Sequence, residues 1–324
     1  MTNPRKQRAE ESARQKRRRG RIGRLRDKAV TTRTLNSYKR AVHKFLTFCT
    51  CTMNYIPNDM CSLDLVLCDY IEQIWQEGDP KGWAQNAVSG LGHFMPGLRL
   101  QLHGSRRLLQ SWNKAEVCNR APPLPANFAV ALAGAAIESG NLRLAVVLLV
   151  AFHAFLRTGE ALQLRASSFV FPDHPGPVLL TLEATKSAKR RGVRAESVVL
   201  SDPMLLSYLR VLIPRLEPGE CLFAGSGQEF RSIFMQLCSN ASLPSLPWRP
   251  YSLRRGGATA HFLQFGCFHK TAARGRWESI KTARLYVDEA VALLATIAAT
   301  RKQQARIQDL VALVSCPTQR KFRR

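Results

Sequence analysis

The chain has 324 residues, 45% of them hydrophobic, which suffices for two domains with separate cores and excludes a lone binding module. Lysine and arginine outnumber the acids 48 to 23, giving a net charge of +25, far more than solubility requires and the mark of a polyanionic partner, nucleic acid ahead of anionic membrane. No apolar run reaches the about 18 residues of a membrane-spanning helix, and the N-terminus lacks the apolar core of a signal peptide.

Residues 1–30 form a basic arm, from Arg5 and Lys6 to Arg26 and Lys28, that cannot bury a core and is expected to be disordered when free. Within it, Gln15–Arg21 reads as a nuclear address or a grip on phosphates, so the expected location is intracellular, with the nucleus among the candidates. Residues 31–120 read as a helical domain. Thr34 is the candidate cap of a helix whose apolar positions Leu35, Tyr38, Val42, Phe45 and Leu46 recur at helical spacing, with Lys39, Arg40 and Lys44 on the other face. Further helices are predicted over 63–75, 83–94 and 106–117.

Residues 121–126 carry three prolines and read as an extended linker. A helical stretch is expected over 127–168. A β-hairpin is expected next, from 177–185 and 193–200, with the basic turn Lys186–Gly192 between them. Helices resume from Pro203. The segment 291–314 is amphipathic, and 291–324 ends in a second basic tail. The domains are thus 1–30, 31–120, a linker at 121–126, 127–290 and 291–324. The nine cysteines are scattered, with no C-x-x-C pair, and read as reduced thiols with neither a zinc site nor disulfides.

The residues that carry chemistry come late. Leu156–Glu160 reads Leu-Arg-Thr-Gly-Glu, Tyr251–Arg254 reads Tyr-Ser-Leu-Arg, and Tyr286 stands nine positions after Trp277. Arginine suits the non-bridging oxygens of a phosphodiester because its planar fork binds two of them and never loses its charge. Lysine can protonate a leaving oxygen, and tyrosine can attack phosphorus once its phenol, with an ordinary pKa of about 10, lies in a positive pocket. Arg254 competes with its neighbour Arg255, and Lys186 with Lys189. His153 and His261 lie in apolar helices and read as packed. Arg274 and Arg276 flank Gly275 and read equally as phosphate contacts or solvated charges.

In this order and spacing the chain resembles the tyrosine recombinase (phage integrase) family over about residues 31–290, most sharply between Phe155 and Tyr286. The resemblance implies a mainly α fold with a small β-hairpin or sheet: a helical N-terminal core-binding domain followed by an α+β catalytic domain. It implies a site of Arg157, Glu160, Lys186, Tyr251, Arg254, Trp277 and Tyr286. Tyr251 departs from the pattern, because the family usually has histidine there. Cleavage and rejoining of duplex DNA would pass through a 3′-phosphotyrosyl bond, with no metal or other cofactor. The expected partners are double-stranded DNA and three further copies of the chain, assembled through the C-terminal helix. Two other readings stay open: a catalytically impaired DNA-binding protein of the same fold, and a general RNA- or chromatin-binding protein.

Overall fold

The computed structural model describes residues 4–117, 119–183, 185 and 195–315, in two compact units, Met1–Asn119 and Arg120–Arg324.

The first unit opens with α1 (Pro4–Ile22), whose described side chains are all exposed. The arm expected to be disordered is therefore helical. Its composition explains this: between Pro4 and Gly20 it holds arginine, lysine, glutamate, glutamine and alanine, the strongest helix formers, with no β-branched residue. Thr31, not Thr34, caps α2 (Thr32–Cys51), its hydroxyl accepting from the Thr34 amide at 3.2 Å. Asp59 caps α3 (Met60–Gln76) in the same way. The helices α4 (Lys81–Phe94) and α5 (His103–Ala115) complete the bundle. Their core is Phe45, Phe48, Leu67, Tyr70, Ile71, Ile74, Leu91 and Trp112. Asp64 of α3 reaches across to the first turn of α5, accepting from the amides of Gly104 at 2.7 Å and Ser105 at 3.1 Å.

The second unit is built around α7 (Leu142–His153), buried without a break from Leu144 to Phe152. Against it lie α6 (Ala126–Glu138) and the short α8 (Thr158–Ala161). Three antiparallel strands follow: β1 (Phe169–Val170), β2 (Val178–Glu183) and β3 (Ala195–Leu200), with Phe169 opposite Leu180 and Leu182 opposite Glu196. The expected hairpin is β2–β3. Strand β1 has only two residues and shows no alternation from which to predict it. Phe169, Val178, Leu180, Leu182, Val198 and Leu200 face the core, and Glu196 shares that buried face.

Among the described residues the unit continues with α9 (Pro203–Leu212), α10 (Gly227–Asn240), α11 (Tyr251–Phe265), α12 (Phe268–Gly275), α13 (Ile280–Arg284) and α14 (Glu289–Ile297). After them comes α15 (Arg301–Ser315).

Glycines set two close approaches. A Cβ at Gly256 would meet the Leu124 carbonyl oxygen at 2.0 Å, and one at Gly257 would meet the Phe152 oxygen at the same distance. The stretch read as an extended linker falls in the second unit. Leu124 is fully buried, its amide donates to the Ser252 carbonyl at 3.1 Å, and Arg255 donates to the Ala121 carbonyl at 2.6 Å.

The helix α15 packs on α6 of its own chain, burying Ile307, Leu310 and Val314. Small residues of α6 admit it: a Cβ at Gly134 would lie 2.3 Å from the Leu310 carbonyl oxygen. Tyr208 donates to the Val314 carbonyl at 2.8 Å, and Arg306 grips Glu138 through both terminal nitrogens. The helix α14 leaves Leu293, Leu294 and Ile297 exposed. No helix among the described residues is long and apolar enough to cross a membrane.

Candidate active site

At the end of α7 the backbone turns through Phe155 in the left-handed region, φ 47°, and brings Arg157 to the start of α8. Arg157 and Glu160 then close on each other. The Arg157 amide donates to Glu160 Oε2 at 3.0 Å, and its guanidinium Nη1 donates to Oε1 at 2.5 Å. Glu160 is buried, whereas the Arg157 side chain is 29% exposed and can meet a ligand. Burial alone would raise the Glu160 pKa. The Arg276 charge and the Arg157 hydrogen bonds outweigh it and hold the carboxyl below its usual range.

Arg254 sits in the first turn of α11 and is fully buried. Its Nη1 donates to the Phe155 carbonyl and its Nη2 to the Gly275 carbonyl at 3.2 Å. Its guanidinium carbon lies 5.0 Å from the Trp277 ring centre and 5.1 Å from that of Tyr286. Burial, with repulsion from Arg157, lowers its pKa to about 10, so it stays charged at neutral pH. Its neighbour Arg255 points elsewhere, to the Ala121 carbonyl and Asp288.

Tyr286 lies just past α13, with its ring stacked on Trp277 at 4.3 Å between centres. Gly275 makes room for that indole, because a Cβ there would come within 2.4 Å of it. The Trp277 N–H is buried and has no hydrogen-bond partner among the described residues, so this side chain acts here as a packing surface. The Tyr286 hydroxyl meets the Tyr251 hydroxyl at 2.5 Å. Burial would raise the Tyr286 pKa, but the Tyr251 hydrogen bond and the charges of Arg254 and Arg157 overcome it and hold this phenol below the ordinary range. Burial raises the Tyr251 pKa, and its bond to Tyr286 raises it further, so Tyr251 is the donor of the pair.

Arg157, Glu160, Arg254, Trp277, Tyr286 and Tyr251 are thus linked by successive contacts, while Lys186 lies outside the described residues. Thr185, which immediately precedes it, is buried and donates to Glu196 Oε2 at 2.6 Å. Glu196 is a residue with no expectation attached to it in the sequence. The one available signal was a carboxylate on the inward-facing phase of β3. Both arginines flanking Gly275 make contacts within the chain. Arg274 donates to the His153 carbonyl at 2.9 and 3.1 Å and to that of Val199, and Arg276 binds Glu160 at 2.8 Å. Both histidines are packed: His153 is 3.9 Å from Asp202, and His261 bonds Thr271 at 3.0 Å. Among the described residues no group of three or more His, Cys, Asp or Glu is placed to hold a metal ion.

No family model and no curated protein matches the sequence. Solved structures do match. The Tn1549 transposon integrase in complex with circular intermediate DNA aligns with a TM-score of 0.58 at 12% identity, over 88% of this chain and 97% of that one. A lambda integrase dimer bound to a COC′ core site aligns at 0.55 and 17%, over 82% and 92%. The XerH site-specific recombinase on palindromic difH substrate, a post-cleavage complex, aligns at 0.55 and 15%, over 82% and 79%. At these identities the likeness is one of architecture, and it spans the helical bundle and the helix-and-sheet unit together. The chain has the tyrosine recombinase fold.

Proposed function

We propose that the chain is a site-specific DNA recombinase that cuts and rejoins duplex DNA through a covalent bond to Tyr286. The observation that carries this reading is the Tyr286 hydroxyl itself. It is held at 2.5 Å by a donor phenol, beside a buried guanidinium and a half-exposed one, so that the pocket favours its anion. The net charge of +25 and the DNA-bound state of the structural neighbours support duplex DNA as the partner.

In the proposed reaction Arg157 and Arg254 hold the non-bridging oxygens of the scissile phosphate. The Tyr286 oxygen attacks phosphorus, the bond from phosphorus to the 5′ oxygen breaks, and Lys186 gives that oxygen a proton. The strand is left as a 3′-phosphotyrosyl ester with a free 5′-hydroxyl. A 5′-hydroxyl from a partner duplex then gives its proton to the neutral Lys186 and attacks phosphorus, and Tyr286 leaves as the phenolate that Tyr251 stabilises. The phosphodiester energy is kept in the ester. Assembly of four protomers on DNA belongs to this reading, with α14, whose apolar side chains are exposed, in place of α15 as the helix available to a neighbour. The basic α1 and the residues ahead of α2 are proposed to grip phosphates or to serve as a nuclear address.

The test is incubation with nicked duplexes carrying a randomised centre, followed by denaturation. The wild-type protein is expected to retain covalent DNA, and Tyr286→Phe to retain none. Tight duplex binding without any adduct would instead support a DNA-binding protein of this fold that has lost catalysis, the reading that Tyr251 in place of the usual histidine keeps open.

A further inference from the structure

Arg255 stands outside that scheme, yet it is a buried charge immediately after Arg254. Its place on α11 explains where it points. Tyr251, Arg255 and Thr259 recur every four residues, so one face of the helix carries all three. That face meets the turn from α13 to α14, which holds Tyr286, Val287 and Asp288. Tyr251 meets the Tyr286 hydroxyl, Arg255 reaches the Asp288 carboxylate, and Thr259 reaches the backbone of both Tyr286 and Asp288.

The backbone of this turn is held on both sides of the nucleophile. The Tyr286 amide donates to the Ala283 carbonyl at 2.9 Å, and the Tyr286 carbonyl accepts from the buried Thr259 hydroxyl at 3.5 Å. The same hydroxyl accepts from the Asp288 amide at 3.2 Å. A hydroxyl has one proton and two lone pairs, so Thr259 serves both partners at once. Asp288 is divided in the same way. Its Oδ1 accepts from the Val291 amide at 3.3 Å, capping α14, and its Oδ2 accepts from Arg255 Nη2 at 3.3 Å. Arg255 Nη1 donates to the Ala121 carbonyl at 2.6 Å. The helix beneath is itself fixed, because Gly256 and Gly257 seat it on Leu124 and Phe152 with no room for a Cβ. One helix thus holds the phenol through Tyr251 and Arg254 and the backbone behind it through Arg255 and Thr259.

We propose that Thr259 and Arg255 are positioning residues for the nucleophile, fixing the Tyr286–Asp288 turn on α11 so that the phenol stays beside Tyr251 and Arg254. Neither touches the reacting atoms. This rests on the reading that Tyr286 attacks phosphorus.

The test uses the full chain and Thr259→Val, which keeps the branched shape and loses the hydroxyl. Thr259→Ser retains the hydroxyl. Asp288→Asn keeps the oxygen that caps α14 and removes the charge that Arg255 grips. Adduct formation is timed on the nicked, randomised duplex at saturating protein, and duplex affinity is measured separately. Thr259→Val is expected to form adduct about 10- to 100-fold more slowly, the scale of a displacement of reacting groups by about 1 Å, with affinity unchanged. Thr259→Ser should keep the wild-type rate, and Asp288→Asn should fall between. The loss in Thr259→Val should persist at high pH, where the phenol is ionised in every variant, because it reflects placement and not acidity. The Asp288 amide should also exchange faster with solvent in Thr259→Val than in the wild type or Thr259→Ser.

An undiminished rate in Thr259→Val overturns the inference, as does an equal loss in Thr259→Ser or a loss that disappears at high pH. Should Thr259→Val not fold, Asp288→Asn decides, and a wild-type rate there overturns the inference. If the wild type itself forms no adduct, the cleavage reading has failed and the positioning role falls with it. In each of the other outcomes the cleavage reading stands.

Discussion

Replacing Tyr251 with phenylalanine removes one oxygen and leaves the ring that packs 5.8 Å from Tyr286 in place. The lost contact is the 2.5 Å hydrogen bond to the Tyr286 oxygen, with Tyr251 as donor. A hydrogen bond to a charged group contributes about 1.5–3 kcal/mol, and one pKa unit corresponds to about 1.4 kcal/mol, so the Tyr286 phenol should rise by about one to two units. The attacking species is the phenolate, whose population grows with pH. A raised pKa therefore leaves less nucleophile at neutral pH, and the rate there should fall about 10- to 100-fold. The rising limb of the pH–rate profile should move to higher pH by the same one to two units, and wild type and variant should converge where both phenols are ionised. Nitrophenolate release from thymidine 3′-(4-nitrophenyl phosphate) is a suitable assay, because that leaving group needs no proton and isolates the nucleophile from Lys186. An unshifted limb would refute the reasoning: with the rate unchanged, Tyr251 does not act on Tyr286, and with the rate lowered at every pH, its contribution is packing.

Three further outcomes follow from the geometry. Glu160 has its carboxyl held below the ordinary 4.5, so its stabilisation is present above that pH and is lost as pH falls through the lower folded value. Glu160→Gln should flatten the acid limb of the melting-temperature profile. It should also cost about 3 kcal/mol at neutral pH by leaving Arg157 and Arg276 without their shared anion. Gly257→Ala drives a Cβ into the Phe152 carbonyl and must push α11 off α7. Chemical denaturation should show a loss of about 1–3 kcal/mol, and cleavage should fall with it because Arg254 moves. Asp64→Ala removes the acceptor for two amides at the start of α5. It should cost about 1–2 kcal/mol, read as faster amide exchange at Gly104 and Ser105, with the second unit unaffected.

The parts of the site that were legible in the sequence are those fixed by short-range spacing. Arg157 and Glu160 lie three residues apart because each closes the first turn of α8 on the other, and the register of α11 sets Arg254 against Tyr286 while Arg255 turns to Asp288. The helices of the first unit were legible for the same reason, since their apolar period is local. The parts that escaped depend on contacts between distant segments. Arg276 beside a glycine reads equally as a phosphate contact or a solvated charge until the left-handed turn folds it onto Glu160, 116 positions away. Glu196 had only its phase in β3 to mark it. The prolines of 121–126 signal extended chain, which is what they form, but not that Gly256 opens a place for Leu124 in the second unit. Amphipathicity in 301–315 predicts a buried face, and the small residues of α6 decide that the face is buried within the same chain.

Tyr286 is the residue proposed to become joined to DNA, and Tyr251 presents a second phenol beside it. With two phenol oxygens 2.5 Å apart, an adduct could in principle form on either. Covalent complexes trapped on nicked duplex, digested and sequenced by mass spectrometry should carry the 3′-phosphoryl group on the peptide containing Tyr286, at the tyrosine oxygen. A 3′-phosphoryl group on Tyr251, or no modified peptide from a preparation that binds duplex tightly, would contradict the account.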